Sequence, residues 1–471
     1  MIRIFPILLG LIITALLWSC SDDDPVIGNL SELRFEQDTL RFDTVLTDQN
    51  TITELLAIYN DSNEPLLIEE VFLDDPSGAY TINISGVPSN EVSNLVIEAE
   101  DFVYLFIQAN IDPQNADNPF IVEGNVIFES QNSQRALHLQ AFGQDAIYLG
   151  SLASIDSISC EMGTEVWNSP KPYVVFGSLY IDDCQLELAA GTEIFMHGSA
   201  FTDGESVTND GAIVFGENGN ILSNGIPSNP VVIRSDRRDR IFENRAGQWN
   251  GLIFQENSTG NIFNSTIIQD AVVGITLLDS SEVIFNQSLI QNSFFQNILA
   301  QDAFLTATNS LIYGSDRQFN IQILQGGHYS FEYCTVSSQA EGNNAARILS
   351  AQNDQCIQDL NCEEANPLLL RIDNSILFGT SSNELFIDLN EELANDVQIS
   401  NSVVSTNTEY PFLDNTFNLN PLFVDVEDHN YQLDSLSPVS RAGIPTSTSA
   451  DFNGFPRQGD STSVGALEYQ F

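Results

Sequence analysis

Apolar residues in the C-terminal two thirds of the chain recur at a fixed interval. Phe263-Asn264-Ser265-Thr266-Ile267-Ile268 is followed by Phe285-Asn286-Gln287-Ser288-Leu289-Ile290 and Thr308-Asn309-Ser310-Leu311-Ile312. Further copies are Asp373-Asn374-Ser375-Ile376-Leu377 and Ser400-Asn401-Ser402-Val403-Val404, with a degenerate one at Tyr333-Cys334-Thr335-Val336. The second aliphatic residue falls at 268, 290, 312, 336, 377 and 404, in steps of 22, 22, 24, 41 and 27. A second series, Ile275, Ile298 and Ile321, repeats every 23 residues. β-Branched residues and Asn at this period, without helical heptads, predict a solenoid of strands. A coil of this length supplies three short strands and three turns. Stacked about 4.8 Å apart, the coils form a parallel β-helix in which equivalent aliphatic residues lie one above another. Residues 165–441 leave room for about 11 to 12 such coils. The 41-residue step predicts an insertion at 339–366, and Asn at a recurring turn can bond its copy in the next coil.

Residues 30–145 show a different pattern. Val71-Phe72-Leu73, Tyr80–Ile84, Phe102–Ile107 and Val126-Ile127-Phe128 are short apolar or alternating runs. Turn formers such as Asp61-Ser62-Asn63-Glu64-Pro65 and Asp74-Asp75-Pro76-Ser77-Gly78 separate them, which predicts a β-sandwich. Nothing in it points to catalysis, and the expected role is a spacer or interaction module. The expected organisation is thus all-β: a signal peptide at 1–19, a tether at 20–29, a sandwich at 30–145, a parallel β-helix at 146–441 and a C-terminal cap at 442–471.

The first residues read as an address. Met1-Ile2-Arg3 gives a positive start, and the apolar run Ile4–Leu17 is too short to span a bilayer comfortably. Leu17-Trp18-Ser19-Cys20 resembles the lipobox of bacterial lipoproteins, which implies cleavage before Cys20 and acylation of its thiol. Ser21-Asp22-Asp23-Asp24 is similar to the surface-export tag of one large Gram-negative phylum. These resemblances imply a protein held to the outer membrane by lipid on Cys20 and displayed outside. Leu56–Asn60 through Pro65–Ile68 to Tyr80 resembles immunoglobulin-like modules of the cilia-and-spindle type. Tyr173–Ile181, Leu186–Ile194, Gly211–Gly216 and Gly247–Leu252 look like the opening coils of right-handed, pectin-lyase-like β-helix surface lipoproteins. Asn420-Pro421-Leu422-Phe423, Asp451, Pro456-Arg457 and Gly465-Ala466-Leu467-Glu468 are similar to their closing motif.

Charge and composition narrow the partners. The 42% hydrophobic content supports a buried core, so general disorder is excluded. With 65 acidic against 15 basic residues the formal charge is −50, which disfavours nucleic acid because phosphate binding needs Lys and Arg. Against that background Arg234, Arg237, Arg238, Arg240 and Arg245 gather five basic residues in one stretch, a candidate for a uronate or sulfate held by bidentate guanidinium contacts. Asp425, Glu427 and Asp428, with Asn430, are a weak calcium candidate, since calcium takes oxygen ligands. Cys160 and Cys184 lie about one coil apart and can pair; Cys356 and Cys362 can close a small loop. Cys334 occupies a repeat position and reads as a small core residue.

Two enzymatic templates bear on the chemistry. A polygalacturonase-like site would use Gly326-Gly327-His328, but no Arg-x-Lys accompanies it. A pectate-lyase-like site needs a basic residue beside the uronate, and the sole lysine, Lys171, precedes the coils. The expected function is therefore a monomeric binding or adhesion scaffold for glycans. The alternatives are a polysaccharide lyase or glycoside hydrolase acting on an acidic polysaccharide, and a purely structural surface protein.

Overall fold

The computed structural model describes residues 26–27, 30–47, 49, 51, 53–131, 133–198, 200–202, 207–209, 211–238, 242–317, 319–338, 347–352, 365–416 and 418–470. Cys20, Arg240, Cys356 and Cys362, and with them the lipidation site and the second cysteine pair, lie outside these residues. The chain divides into two compact units, 1–145 and 146–471.

The first unit is a β-sandwich. One sheet orders Val26–Ile27, Leu66–Asp74, Phe120–Ser130, Ser133–Gln144 and Thr39–Leu46, with Glu91–Ile97 also paired to Leu66–Asp74. The other orders Leu33–Phe35, Glu54–Asn60, Phe102–Ala109 and Tyr80–Ile84. Alternation along each strand sends Ile58, Ile68, Val71, Leu105, Ile107, Val126 and Phe128 into a common core. Val26 and Ile27, expected in the solvated tether, instead pair in parallel with Leu66 and Leu67. Two adjacent strand formers beside an unpaired edge add to it readily.

The second unit is a parallel β-helix with three ladders of strands. In a representative coil, Gly251–Phe254 belongs to what we term the rear sheet, Asn261–Asn264 to the front sheet and Thr266–Gln269 to the flank sheet. The two sequence series stack in register: Ile268, Ile290, Ile312, Val336, Leu377 and Val404 in the flank sheet, and Ile275, Ile298 and Ile321 in the rear sheet. Some strands, Ile298–Thr308 among them, turn the corner from rear to front, which joins 25 strands into one continuous sheet. The core is a column of aliphatic side chains with stacked rings: Phe215 on Phe254 at 4.9 Å and Phe263 on Phe285 at 5.0 Å between centroids. Each such side chain contributes about 1.5–3 kcal/mol on burial.

The recurring Asn marks a turn. The residue joining front to flank strands has positive φ in six coils, at Ser265, Gln287, Asn309, Tyr333, Asn374 and Asn401. Asn adopts this left-handed conformation more readily than most L residues. The next residue forms an internal ladder: Thr266 N donates to Ser288 Oγ, Ser288 N to Ser310 Oγ, Cys334 N to Ser375 Oγ, and Ser375 N to Ser402 Oγ, at 3.0–3.2 Å. Amide ladders do occur, but at neighbouring positions: Asn286 to Asn264 at 3.0 Å, Gln291 to Gln269 at 2.7 Å and Asn297 to Asn320 at 2.8 Å.

Three expectations change. Nine consecutive pairings link ten front strands from Gly163–Trp167 to Leu413–Asp414, fewer than the 11 to 12 coils anticipated. Residues spent on excursions, such as the loop between Ser235 and Gly251, account for the shortfall. The stretch 339–366 is not one insertion, because Arg347–Gln352 forms a rear strand paired with Phe319–Leu324 and Leu385–Asp388. Lastly, 442–471 lies along the flank sheet and not across the end of the column. Its residues bond to Gln287, Asn309, Tyr333 and Asn374, four different coils. The end of the core is covered by Tyr410, Phe412 and Leu413.

Candidate functional site

The strand alternation that fills the core also sets a grid of outward side chains on the front sheet. Successive rows are Glu282, Ile284, Asn286; Phe304, Thr306, Thr308; His328, Ser330, Glu332; Leu369, Arg371, Asp373; and Asp396, Gln398, Ser400, aligned by the pairing register. A groove of about 320 Å³ opens on this grid, lined by Glu282, Phe304, Thr306, His328, Ser330 and Arg371 among others. Phe304 is 40% exposed and meets the His328 ring edge-on at 4.9 Å between centroids. Arg371 ion-pairs with Asp396 and also donates from Nη1 to the Asp396 carbonyl at 2.9 Å. An exposed aromatic face beside a fixed guanidinium, an imidazole and hydroxyls can hold a ligand that is apolar on one face and hydroxylated at its edge.

The backbone delivers His328 to this face. Gly326 and Gly327 have φ of +99° and +102°, and a Cβ on Gly327 would lie 2.5 Å from the Ala303 carbonyl oxygen. The two glycines therefore turn the rear-to-front corner, a structural reason for the Gly-Gly-His run that a polygalacturonase-like site would use.

Asp373 stacks in register on Glu332 in the adjacent coil. Burial, followed by the Glu332 carboxylate, holds the Asp373 carboxyl above its ordinary range. Glu332 itself accepts a hydrogen bond from Thr448 Oγ1 at 2.5 Å.

The described members of the arginine stretch are held at separate positions. Arg234 projects from the flank strand Val231–Ser235 and lies 3.4 Å from Asp270 Oδ2. Burial pushes Asp270 upward, opposed by Arg234 and by hydrogen bonds from Asn292 and Gln269. Arg237 packs over Phe242 at 3.4 Å and Arg238 over Phe195 at 5.1 Å, so both planar cations are spread on rings. Arg245 is exposed, and its carbonyl accepts from Gln248.

Beside this stretch the coil brings together a pair that sequence reasoning missed. His197 Nδ1 lies 2.5 Å from Asp236 Oδ2, with Phe176 against the imidazole at 4.7 Å. The partners are 39 residues apart, across one elongated coil.

The calcium candidate resolves into a turn. Asp425 Oδ1 accepts the amides of Glu427 and Asp428 at 3.1 and 3.2 Å, closing the hairpin between Phe423–Asp425 and Asn430–Leu433. Among the described residues no three His, Cys, Asp or Glu side chains are placed to hold a metal ion. Cys160, in the turn before the first front strand, and Cys184, which opens the second, form a disulfide with Cα atoms 5.0 Å apart. Cys334 is buried in the serine ladder, and burial pushes its thiol up to about 12.

The closing motif proves to be a clamp. Arg457, only 4% exposed at its side chain, donates to Asn309 Oδ1 through Nη2 at 2.5 Å and to Glu468 Oε2 through Nη1 at 3.3 Å. Its guanidinium lies 3.8 Å over Tyr333, and the fully buried Glu468 also accepts from Thr462 Oγ1 and Ser463 N.

No family model and no curated protein matches the chain. Among the solved structures that resemble it weakly are three glycoside hydrolases. A family 123 glycoside hydrolase from Clostridium perfringens is 12% identical over 26% of each chain, with a TM-score of 0.18. The catalytic unit of a GH87 α-1,3-glucanase from Streptomyces thermodiastaticus is 11% identical over 77% of this chain and 74% of that one, at 0.27. A GH87 α-1,3-glucanase catalytic domain variant in complex with tetrasaccharides is 10% identical over 81% and 90%, at 0.20. Likeness at this level does not extend to an activity.

Proposed function

We propose that this is a surface-anchored lipoprotein whose β-helix binds glycan in the front-sheet groove. The lipid on Cys20 would attach it to the outer membrane, and the sandwich would be an immunoglobulin-like module carrying the column. The observation that carries the reading is the exposed Phe304 ring set beside His328, Arg371 and Glu282 in one groove. Stacking on the ring would supply affinity and the polar groups orientation.

A second reading, glycoside hydrolysis, is favoured by one feature. Asp373 and Glu332 stand in adjacent coils about 4.8 Å apart at the backbone, and such carboxylate pairs can serve as acid and base or nucleophile. One experiment addresses both readings. The purified protein is offered acidic and neutral polysaccharides while retention and new reducing or unsaturated ends are followed. Retention without new ends is expected. New reducing ends that disappear in Asp373→Asn would replace binding by hydrolysis, and neither retention nor cleavage would leave a structural role.

A further inference from the structure

The outer face of a sandwich sheet is ordinarily polar, because only the inner face packs on the core. In this sandwich the four-stranded sheet breaks that rule. Its inward residues Ile58, Leu105 and Ile107 are fully buried, while Leu55, Phe102 and Tyr104 on the opposite face are 50%, 40% and 44% exposed. Alternation along Phe102–Ala109 puts Phe102, Tyr104 and Phe106 on that outer face, and Tyr59 joins them across the strand pair opposite Phe102. The rings follow one another as Tyr59, Phe102, Tyr104 and Phe106, with centroids 5.5, 5.0 and 6.2 Å apart.

Beyond Phe106 the strip runs into a cleft of about 690 Å³, whose described lining includes Thr53, Thr81, Asn83, Asn90, Phe106 and Gln108. No charged side chain is among the described residues that line it. This neutrality stands out in a chain of 65 acidic residues and net charge −50. Asn83 Oδ1 is buried in the structure and accepts no hydrogen bond. A buried carbonyl oxygen without a donor is costly unless a ligand supplies one.

We infer that the sandwich is a second binding module, for a neutral polysaccharide chain. The sugar rings lie with their apolar faces on Tyr104 and Phe106, and one residue enters the cleft with a hydroxyl donating to Asn83 Oδ1. Polyanionic glycans are disfavoured there because the described lining of the cleft offers no cation, and Arg34, which lies 4.1 Å over Tyr59 at the far end of the strip, is ion-paired with Asp61. The site is separate from the front-sheet groove and does not depend on it.

Affinity electrophoresis of the full protein through gels containing dextran, laminarin or galactomannan tests this, with polygalacturonate as the acidic control. At least one neutral polymer should retard it. The double variant Phe102→Ala/Tyr104→Ala should weaken that retardation about tenfold, equivalent to about 1.4 kcal/mol. Both side chains are exposed, so an unchanged unfolding midpoint is expected and is measured alongside. Asn83→Leu should weaken it as well, whereas Ile121→Ala, at an exposed position on the other sheet of the sandwich, should not. Absence of retardation by every neutral polymer overturns the inference. So does retention that neither the double variant nor Asn83→Leu weakens, or aromatic-strip variants that abolish self-association in sedimentation while leaving glycan retention intact.

Discussion

The front and flank sheets are made by the same coils, yet what they turn outward differs in kind. On the flank, Leu289, Leu311, Tyr313, Ile376 and Val403 are apolar, and the C-terminal segment covers them with Tyr431, Leu433, Val439, Val464 and Leu467. On the front, the equivalent positions carry Phe304, Thr306, His328, Arg371, Asp396 and Gln398, and they stay accessible. The coil architecture dictates only the inward column. Each outward face is free to be covered or displayed, and its side-chain chemistry records which.

The largest effect should come from uncovering the flank. Arg457→Ala leaves Glu468 buried without its cation, and loss of one partner of such a pair costs about 3–5 kcal/mol, visible as a lower denaturation midpoint. Phe304→Ala on the front, made in the Phe102→Ala/Tyr104→Ala background, should change stability by under about 0.5 kcal/mol while weakening the remaining glycan retention about tenfold. A large stability loss from Phe304→Ala would mean that the front face is also structural, and the contrast would fail. The smallest effect concerns the interior shared by both faces. With its thiol pushed up to about 12 by burial, Cys334 should resist maleimide at pH 8 in the folded protein and react on unfolding, as read by peptide mass. Labelling of the native protein at Cys334 would show coils opening beneath the covering segment.

The inward repeat was legible in sequence because stacking requires the same residue class at one register in every coil. Ile268, Ile290 and Ile312 differ in nothing but their layer. The groove was not legible, because the outward column Glu282, Phe304, His328, Leu369, Asp396 changes chemistry at each step. Its spacing nevertheless follows the same intervals of 22, 24, 41 and 27, so the aliphatic series could have aligned it. The closing motif was recognisable, but its place was hidden: nothing in Pro456-Arg457 says that the guanidinium will reach Asn309, 148 residues earlier. The placement of the arginine stretch was hidden for a related reason. Composition counts cations, whereas the fold had already laid Arg237 and Arg238 on Phe242 and Phe195.

The C-terminal segment also changes how the column should bear load. A stack in which each coil touches only its neighbours can shed coils singly from a free end. By bonding to Gln287, Asn309, Glu332 and Asn374 together, this segment splints the later coils so that they yield as a group. The coils before Asn264 are tied by their neighbours, by the Cys160–Cys184 crosslink and by the close approach of Gly454 to Pro227. Pulled from its ends, the column should therefore give small early ruptures from its N-terminal part, followed by one large event when the splinted part lets go.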